Sequence, residues 1–253
     1  MSMSGPPTGY GREMPAFGET GNGLRFSEAY SFFFQNPNWG MNLLCTTVCQ
    51  LIPVVGPIVL LGYEYELIEA LHRDPRRIYP DFDFNRFVNY LSRGVWPFLV
   101  SLIAVLVIFP VVWVAMMLGT FGIAAAAESE AGILVFFVAI IMFVGVMLLS
   151  CAVSVIMVPM VLRAGLSQDF AQAFQFGFIR DYFQKMWLET LLASLFVMGT
   201  GMVLMMVGMV ACFIGMYPAM TLMLLAQTHL HYQLYELYLR RGGQVIPLKA
   251  PAV

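Results

Sequence analysis

Residues 94–162 read GVWPFLVSLIAVLVIFPVVWVAMMLGTFGIAAAAESEAGILVFFVAIIMFVGVMLLSCAVSVIMVPMVL and contain no Lys or Arg. The only acidic residues in this stretch are Glu128 and Glu130. A helix of about 20 apolar residues crosses the hydrocarbon layer of a bilayer, so the stretch is long enough for two such helices. It predicts two transmembrane spans, at 95–118 and 133–160, joined by a short loop that carries the two glutamates.

The rest of the chain has a similar character. Its 253 residues are 60% hydrophobic and 11% charged, whereas soluble domains carry about 25% charged residues. Between residues 188 and 235 the only charged side chain is Glu189, which predicts two further spans at 188–208 and 217–236. We therefore expect an all-α, multi-pass membrane protein with four clear spans and amphipathic helices at the membrane interface.

The two ends of the chain differ from its middle. Residues 1–24 are rich in Gly and Pro and predict a flexible N-terminal tail, followed by a helical membrane domain at 25–243 and a C-terminal tail at 244–253. The first residues lack the basic segment and apolar core of a cleavable signal peptide. The net charge of −2 offers no basic surface for nucleic acid. The four cysteines fall in apolar segments, which argues against a secreted disulfide framework.

Lys and Arg alternate along the predicted connections. They occur in 64–93, in 163–186 and at the C-terminus, whereas 119–131 and 209–216 contain none. Cytoplasmic loops of membrane proteins are enriched in Lys and Arg. The pattern predicts that the first three segments face the cytoplasm and that the other two face outward.

An earlier apolar stretch is interrupted by helix-breaking residues. In LIPVVGPIVLLGYEYELIEAL (51–71), Pro53, Gly56 and Pro57 disfavour a continuous helix, because proline lacks a backbone donor and clashes with the preceding turn. One interpretation is a re-entrant hairpin with these residues at its tip, which protein or water must then cover inside the membrane. The alternative is a kinked helix over 42–63 that forms a fifth span. The pattern favours the hairpin.

Three stretches of the sequence look like variants of one unit. Each has an aromatic, amphipathic segment, a tryptophan and then an apolar hairpin. The units begin with residues 26–44, 83–103 and 169–195. Trp39, Trp96 and Trp187 mark the entry into the apolar part, as interfacial anchors do. Three independent interfacial helices would give the same pattern, so both interpretations stay open.

Several short motifs in the first half of the chain match those of a known family. They are an early tryptophan, an IP..GP segment, a GY pair, a P-x-x-D-F loop and a glycine at a helix start. Here they correspond to Trp39, Ile52–Pro53, Gly56–Pro57, Gly62–Tyr63, Pro80–Asp83–Phe84 and Gly94. Through these motifs residues 35–105 resemble the membrane-protein family named domain of unknown function 4013. The resemblance implies a prokaryotic multi-pass membrane protein, and it implies no activity.

A few acidic residues are candidates for a functional site. Asp81 and Asp83 could bind a cation or perform acid–base chemistry, which requires two carboxyls with different proton affinities. Asp83 is also well placed to cap the following helix, and Asp169 has a similar setting, so a structural role is favoured. Glu189 is a candidate because carboxylates inside membranes are often functional. We expect water or Lys185, one helical turn away, to satisfy it.

Small residues recur along the last part of the chain. Gly201, Gly208 and Gly215 are spaced by seven, and Ala211 precedes Gly215 by four. Small residues allow membrane helices to approach closely. We expect these residues to pack helices, within one chain or between copies.

Soft metal ligands are frequent but scattered. Cys45 and Cys49 lie four apart, His229 and His231 lie two apart, and methionines are common after residue 197. Thiolates and thioethers suit Cu(I). Methionine also fills apolar cores, and two histidines at this spacing lie on different faces of a helix. No catalytic triad, HExxH or nucleotide-binding motif is present, so we expect no metal, no cofactor and no catalytic residue.

Two classes of function fit this sequence. The first is a non-enzymatic scaffold or accessory subunit that binds membrane lipids or another membrane component, as a homo-oligomer or in a larger complex. The second is a small transporter or channel with the broken element at 51–63 lining the path, because broken helices free backbone groups for substrates. Only Thr46, Thr47 and Gln50 supply polar groups near the break, which favours the first class.

Overall fold

Helices form most of the chain in the computed structural model, which describes residues 23–75, 78–128, 132–210 and 214–249. The α-helices are α1 (Phe26–Ser31), α2 (Trp39–Gln50), α3 (Val55–Arg73), α4 (Phe87–Glu128), α5 (Gly132–Ser167), α6 (Phe176–Val210) and α7 (Met216–Arg240). Short 3₁₀ turns at Phe33–Gln35, Phe84–Arg86 and Ala171–Phe174 precede α2, α4 and α6. The described ranges contain no β-strand, so the predicted all-α class is confirmed.

The long helices pair into three hairpins in the order that the proposed repeat predicts. These hairpins are α2–α3, α4–α5 and α6–α7, and each follows a 3₁₀ turn. Before each hairpin, an Asn or Asp side chain accepts a hydrogen bond from the backbone N–H two residues later. The pairs are Asn36 with Asn38 (2.7 Å), Asp83 with Asn85 (2.9 Å) and Asp169 with Ala171 (2.9 Å). The three units therefore share this side-chain hydrogen bond before the hairpin as well as the order of their elements.

Three helices, α4, α5 and α6, are long and apolar enough to cross a membrane. The helix α4 continues to Glu128 and α5 begins at Gly132, so most of the predicted loop at 119–131 is helical instead. The helix α7 covers the predicted span at 217–236. It is not among the three, because its second half is rich in polar residues. The structure therefore supports three candidate spans by length and composition, rather than the four expected.

The broken element at 51–63 turns back on itself. The helices α2 and α3 meet at a tight turn over residues 51–54. The Asn42 side chain donates to the Asp81 carboxylate at 2.9 Å, and the Tyr63 hydroxyl donates to the Pro80 carbonyl at 2.9 Å. Residues on both arms thus reach the same short segment before α4, which is the geometry of a hairpin and not of one kinked helix.

The turn at the tip of this hairpin satisfies much of its own backbone. The amides of Leu51, Ile52, Val55 and Gly56 all donate to carbonyls between Val48 and Pro53. Val54 is at the centre, with a positive φ of 63°, and its side chain is exposed. We expected neighbouring helices or water to cover this tip. The internal hydrogen bonds reduce that need, because these amides already have partners.

Three glycines allow the first helices to approach one another closely. A Cβ on Gly56 would overlap the carbonyl of Cys49 in α2, and one on Gly62 would overlap the carbonyl of Tyr90 in α4. Gly94 of α4 lies in the same way against the carbonyl of Ile58 in α3. Only a residue without a side chain fits such backbone contacts. The family motifs therefore coincide with the places where α2, α3 and α4 touch.

The apolar core and most described ion pairs lie toward one end of the bundle. Large aromatic side chains from α6 and α7 fill the core there, including Phe178, Tyr182, Tyr235 and Tyr238. The ion pairs around it are Glu66–Arg86, Glu69–Arg73, Glu69–Arg93, His72–Glu236, Asp181–Lys185 and Glu189–Arg241. In contrast, the side chains of the α4–α5 hairpin beyond this end are mostly apolar and exposed.

The described part of the C-terminal segment packs on the bundle. The Tyr238 and Tyr235 hydroxyls each accept a hydrogen bond at 3.0 Å, from the amides of Gln244 and Ile246. Ile246 is fully buried in the core. Residues 244–249 are therefore packed against α7, although the sequence suggested a tail.

Candidate ligand-binding cavity

A cavity of about 510 Å³ lies between α3, α4, α5 and α7. This volume is within the range of small-molecule sites, which are typically about 300–1,000 Å³. Its walls are mainly apolar, with aliphatic and aromatic side chains from all four helices. The residues on its walls that carry polar groups are Glu64, Tyr65, Ser101, Ser150, Ser154, Gln227 and His231. The cavity combines a large apolar surface with a few polar groups, as binding sites for small molecules do.

Glu64 is the only carboxylic acid among the described residues that line this cavity. Its carboxyl group is within reach of the Thr228 hydroxyl. The Thr228 oxygen also lies 2.9 Å from the Leu224 carbonyl. A hydroxyl has a single proton, so it can donate to only one of these two acceptors at a time.

Two further polar side chains face the cavity from α7. Gln227 and His231 are four residues apart and therefore lie one above the other on the same helix face. Neither side chain has a hydrogen-bond partner within the described part of the chain. The three serines differ, because each donates to a carbonyl of its own helix at 2.8–2.9 Å. The carboxamide and the imidazole are thus available to bind a molecule in the cavity.

A second cavity of about 290 Å³ adjoins the first between α5, α6 and α7. It shares Ser150, Ser154, Gln227 and His231 with the larger cavity. The Ser154 hydroxyl is also 2.6 Å from the Ser194 hydroxyl on α6. The shared side chains form a polar seam between the two apolar spaces.

The structure gives Asp81 a structural setting. Its carboxylate accepts hydrogen bonds from the carboxamides of Asn36 (2.8 Å), Asn38 (2.7 Å) and Asn42 (2.9 Å). Donors to an ionised carboxylate stabilise its charge. The Asn42 bond, supported by those from Asn38 and Asn36, lowers the pKa of Asp81 below its usual value. Asp81 thereby ties the start of α2 to the segment that precedes α4.

Asp83 and Asp169 act at the starts of helical segments. The Asp83 side chain caps the 3₁₀ turn at Phe84–Arg86, and the Asp169 side chain accepts from the Ala171 amide. Caps of this kind satisfy amides that have no partner inside the helix. The structural interpretation of Asp83 therefore fits the geometry, and Asp81 and Asp83 do not converge on a common site.

The partner of Glu189 differs from the one expected. Lys185 binds Asp181 at 2.8 Å and the Gly242 carbonyl, so it is not the partner that the sequence suggested. Glu189 instead forms an ion pair with Arg241 after α7. This contact joins the beginning of the apolar part of α6 to the end of α7.

The spaced glycines lie at the contact between α6 and α7. A Cβ on Gly208 would come within 2.8 Å of the Gly215 carbonyl, and one on Gly201 would come within 2.5 Å of the Met223 sulfur. The described glycines therefore pack helices within one chain. Ala211 is outside the described residues.

The remaining predicted residues occupy peripheral positions. Pro53 lies in the tip of the first hairpin, and Pro57 is the third residue of α3. Trp39 and Trp187 are about half exposed, at 42% and 47%, and Trp96 is partly buried. None of these five motif and anchor residues lines the cavity.

The potential metal ligands are dispersed in the structure. His229 stacks on Phe32 with ring centroids 4.3 Å apart, whereas His231 faces the cavity, so the two histidines do lie on different faces. The described residues contain no group of three or more His, Cys, Asp or Glu side chains suited to a metal.

The sequence pattern did not identify the cavity residues. Glu64 was not among the acidic candidates, and His231 was considered only as a metal ligand. One signal was present, because Gln227 and His231 have helical spacing inside a predicted span. Polar groups on one helix face within an apolar segment point toward the interior of a bundle.

Comparison with known families supports the motifs described above. The family model described as "Protein of unknown function (DUF4013)" matches residues 45–213, about two thirds of the chain. The match extends well beyond residue 105, where the motif resemblance ended, and it begins after Trp39. Neither the curated proteins nor the solved structures that were compared gave a match.

Proposed function

The chain belongs to the DUF4013 family, and we propose that it is a non-enzymatic integral membrane protein that binds a lipid-like membrane component in the cavity between α3, α4, α5 and α7. The anchor consists of the apolar helices α4, α5 and α6. The function is binding, as part of a scaffold or accessory subunit, rather than chemical conversion.

The observation that carries this proposal is the position of the cavity beside an exposed apolar surface. Val105 and Phe109 of α4 line the cavity and are also 56% and 60% exposed. The same side chains thus belong to the inner wall and to the apolar outside of the bundle. In a membrane that outside faces lipid, so an apolar molecule can enter sideways from the bilayer without crossing water.

The proposed location is the cytoplasmic membrane of a prokaryotic cell, with the C-terminus in the cytoplasm. The Lys and Arg distribution supports this orientation. In this arrangement α7 forms a fourth span beside α6, and its polar side chains face the bundle rather than lipid. The ion pairs around the core end of the bundle then lie at the cytoplasmic surface.

A small transporter is the second candidate, and the polar seam favours it. Ser150, Ser154, Gln227 and His231 connect two cavities on different sides of the bundle. The turn at residues 51–54 does not line either cavity, so a path would follow α5 and α7 rather than the broken element. The walls of both cavities are mainly apolar, which suits a lipid-like molecule and makes binding the preferred function.

Filling the cavity tests the proposal. Ala104 lines the cavity, and Ala104→Trp should displace a bound lipid. Val107 lies on the same helix, is 67% exposed and does not line the cavity, so Val107→Trp is a matched control. We expect wild type and Val107→Trp to retain a defined lipid after purification in mild detergent, measured by mass spectrometry of the extract.

The Ala104→Trp protein should lose that lipid while its helical content and thermal unfolding remain close to wild type. If wild type retains no defined lipid, or if both variants retain it equally, the cavity is not its binding site.

A further inference from the structure

We propose that the cavity selects an uncharged amphipathic molecule whose head carries a hydroxyl or carbonyl oxygen, and that Gln227 and His231 recognise this oxygen. The inference rests on the proposed function, because it specifies which lipid-like molecules the cavity binds. It assigns to the two α7 side chains a role in head-group selection.

The charge of the cavity walls excludes an anionic head group. None of the described residues that line the cavity is a Lys or Arg. A phosphate or carboxylate would therefore lose its hydration without gaining an opposite charge, and an uncompensated charge in an apolar environment is costly. The cavity does not provide what a phospholipid or fatty-acid head requires.

The surroundings of Glu64 also disfavour a cationic head. None of the described residues that line the cavity is a Lys or Arg, so an ionised Glu64 would have no opposite charge beside it. An unpaired carboxylate in an apolar wall is costly, which favours the protonated form of Glu64. A protonated carboxyl has no charge to balance an ammonium group. The arrangement around Glu64 thus leaves the cavity without a net charge.

Gln227 and His231 complement an uncharged oxygen. The carboxamide offers two donors and an acceptor, and a neutral imidazole offers one of each. Both groups lack partners within the described part of the chain, and both are partly accessible from the cavity. A hydroxyl or carbonyl oxygen on the ligand would satisfy them. The long apolar part of the molecule would then lie along Ile108, Val153 and Leu224.

Photoreactive probes with a common hydrocarbon chain test this selectivity. Four diazirine-bearing probes would end in a hydroxyl, a quaternary ammonium, a carboxylate or a plain methyl group. Each is added to the full-length protein in lipid nanodiscs, and cross-linked residues are identified by mass spectrometry. Wild type is compared with Gln227→Leu, His231→Leu and the double variant, which keep the cavity apolar and of similar volume.

We expect the alcohol probe to label cavity residues about tenfold more efficiently than the methyl and charged probes, as a gain near 1.4 kcal/mol implies. The double variant should lose this preference while the methyl probe still labels it. Labelling of the cavity by all four probes equally would refute the head-group selection and leave the proposed lipid binding intact. Preferred labelling by the ammonium probe would show an ionised Glu64 and would also refute it. If no probe labels the cavity, the proposed function itself fails.

Discussion

The backbone carbonyl of Tyr90 lies directly against Gly62, in the space that the Cβ of any other residue would occupy. The relationship is reciprocal. Gly94 follows Tyr90 by four residues and lies in the same way against the carbonyl of Ile58. Ile58 in turn precedes Gly62 by four residues. Two glycines and two carbonyls therefore define the crossing of α3 and α4. The neighbouring Tyr63 packs on Phe82 and Tyr90, with ring centroids 5.2 and 5.6 Å away.

A methyl group at Gly62 should destabilise the protein. In Gly62→Ala the new Cβ would overlap a backbone carbonyl, which cannot rotate away as a side chain could, so α3 and α4 must separate. We expect a loss of about 2–3 kcal/mol, measured as a lower midpoint of thermal unfolding in detergent. Gly199→Ala is the control, because that position has open space around it. Equal midpoints for both variants would contradict the close crossing.

Packing between α6 and α7 gives a second prediction. Gly208→Leu places a side chain against the Gly215 carbonyl and should weaken the hairpin by about 2 kcal/mol or more. Val207 is 63% exposed, so Val207→Leu should change stability by less than about 0.5 kcal/mol. Thermal unfolding and size-exclusion chromatography measure both effects. Wild-type behaviour of Gly208→Leu would mean that Gly208 faces lipid instead of α7.

The asparagines around Asp81 predict a dependence of stability on pH. The folded-state pKa of Asp81 is lowered, chiefly by the hydrogen bond from Asn42. Its contribution to stability is therefore present above the unfolded-state pKa, about 3.9, and is lost as the pH falls through the folded-state value. The wild-type protein should lose this stabilisation only at strongly acidic pH, as measured by thermal unfolding between pH 7 and pH 3.

Asp81→Asn should remove that part of the acid sensitivity. At pH 7 this variant should also be less stable than wild type by about 1–2 kcal/mol. The new amide would place its own N–H donors opposite the donors of the three asparagines, where an acceptor is needed. Asp83→Asn is a suitable control, since asparagine caps helical segments about as well as aspartate. If Asp81→Asn is as stable as wild type at pH 7, the asparagine cluster does not hold α2 in place.

Periodicity and composition predicted the elements that depend on local sequence. The helical class, the apolar lengths of α4, α5 and α6 and the cap at Asp83 all follow from residue types at a given spacing. The hairpin at Pro53 was inferred for a similar reason, because proline and glycine act on the local backbone. The long extent of α4 was missed, since glycine and alanine after residue 118 are compatible with either a loop or a helix.

The candidate cavity depends on contacts that sequence spacing does not contain. Glu64 reaches Thr228 only because α3 packs beside α7, and Glu189 meets Arg241 only because α6 and α7 are antiparallel. Lys185, the expected partner of Glu189, is four residues from both Glu189 and Asp181. In the structure it binds Asp181 instead. Tertiary packing therefore determined which of several possible partners each charged residue has.

The hairpin of α2 and α3 makes a prediction about topology that a kinked span does not share. Asn36 and Asn38 precede α2 and bind Asp81, which follows α3, so the two ends of the hairpin must be on one side of the membrane. Gln35 and Ile78 are exposed residues at these ends. Single cysteines at both positions, in a background without the four native cysteines, should respond alike to a membrane-impermeant thiol reagent.

The orientation that we propose from the Lys and Arg residues would place that side in the cytoplasm. Gln35→Cys and Ile78→Cys should both be protected in intact cells and labelled after permeabilisation, whereas Gly132→Cys, at the start of α5, should be labelled in intact cells. Labelling of Gln35→Cys alone from outside would place α2 and the C-terminal end of α3 on opposite sides. The apolar stretch would then be a kinked fifth span, and the contacts of Asp81 with Asn36 and Asn38 could not exist in the membrane-inserted protein.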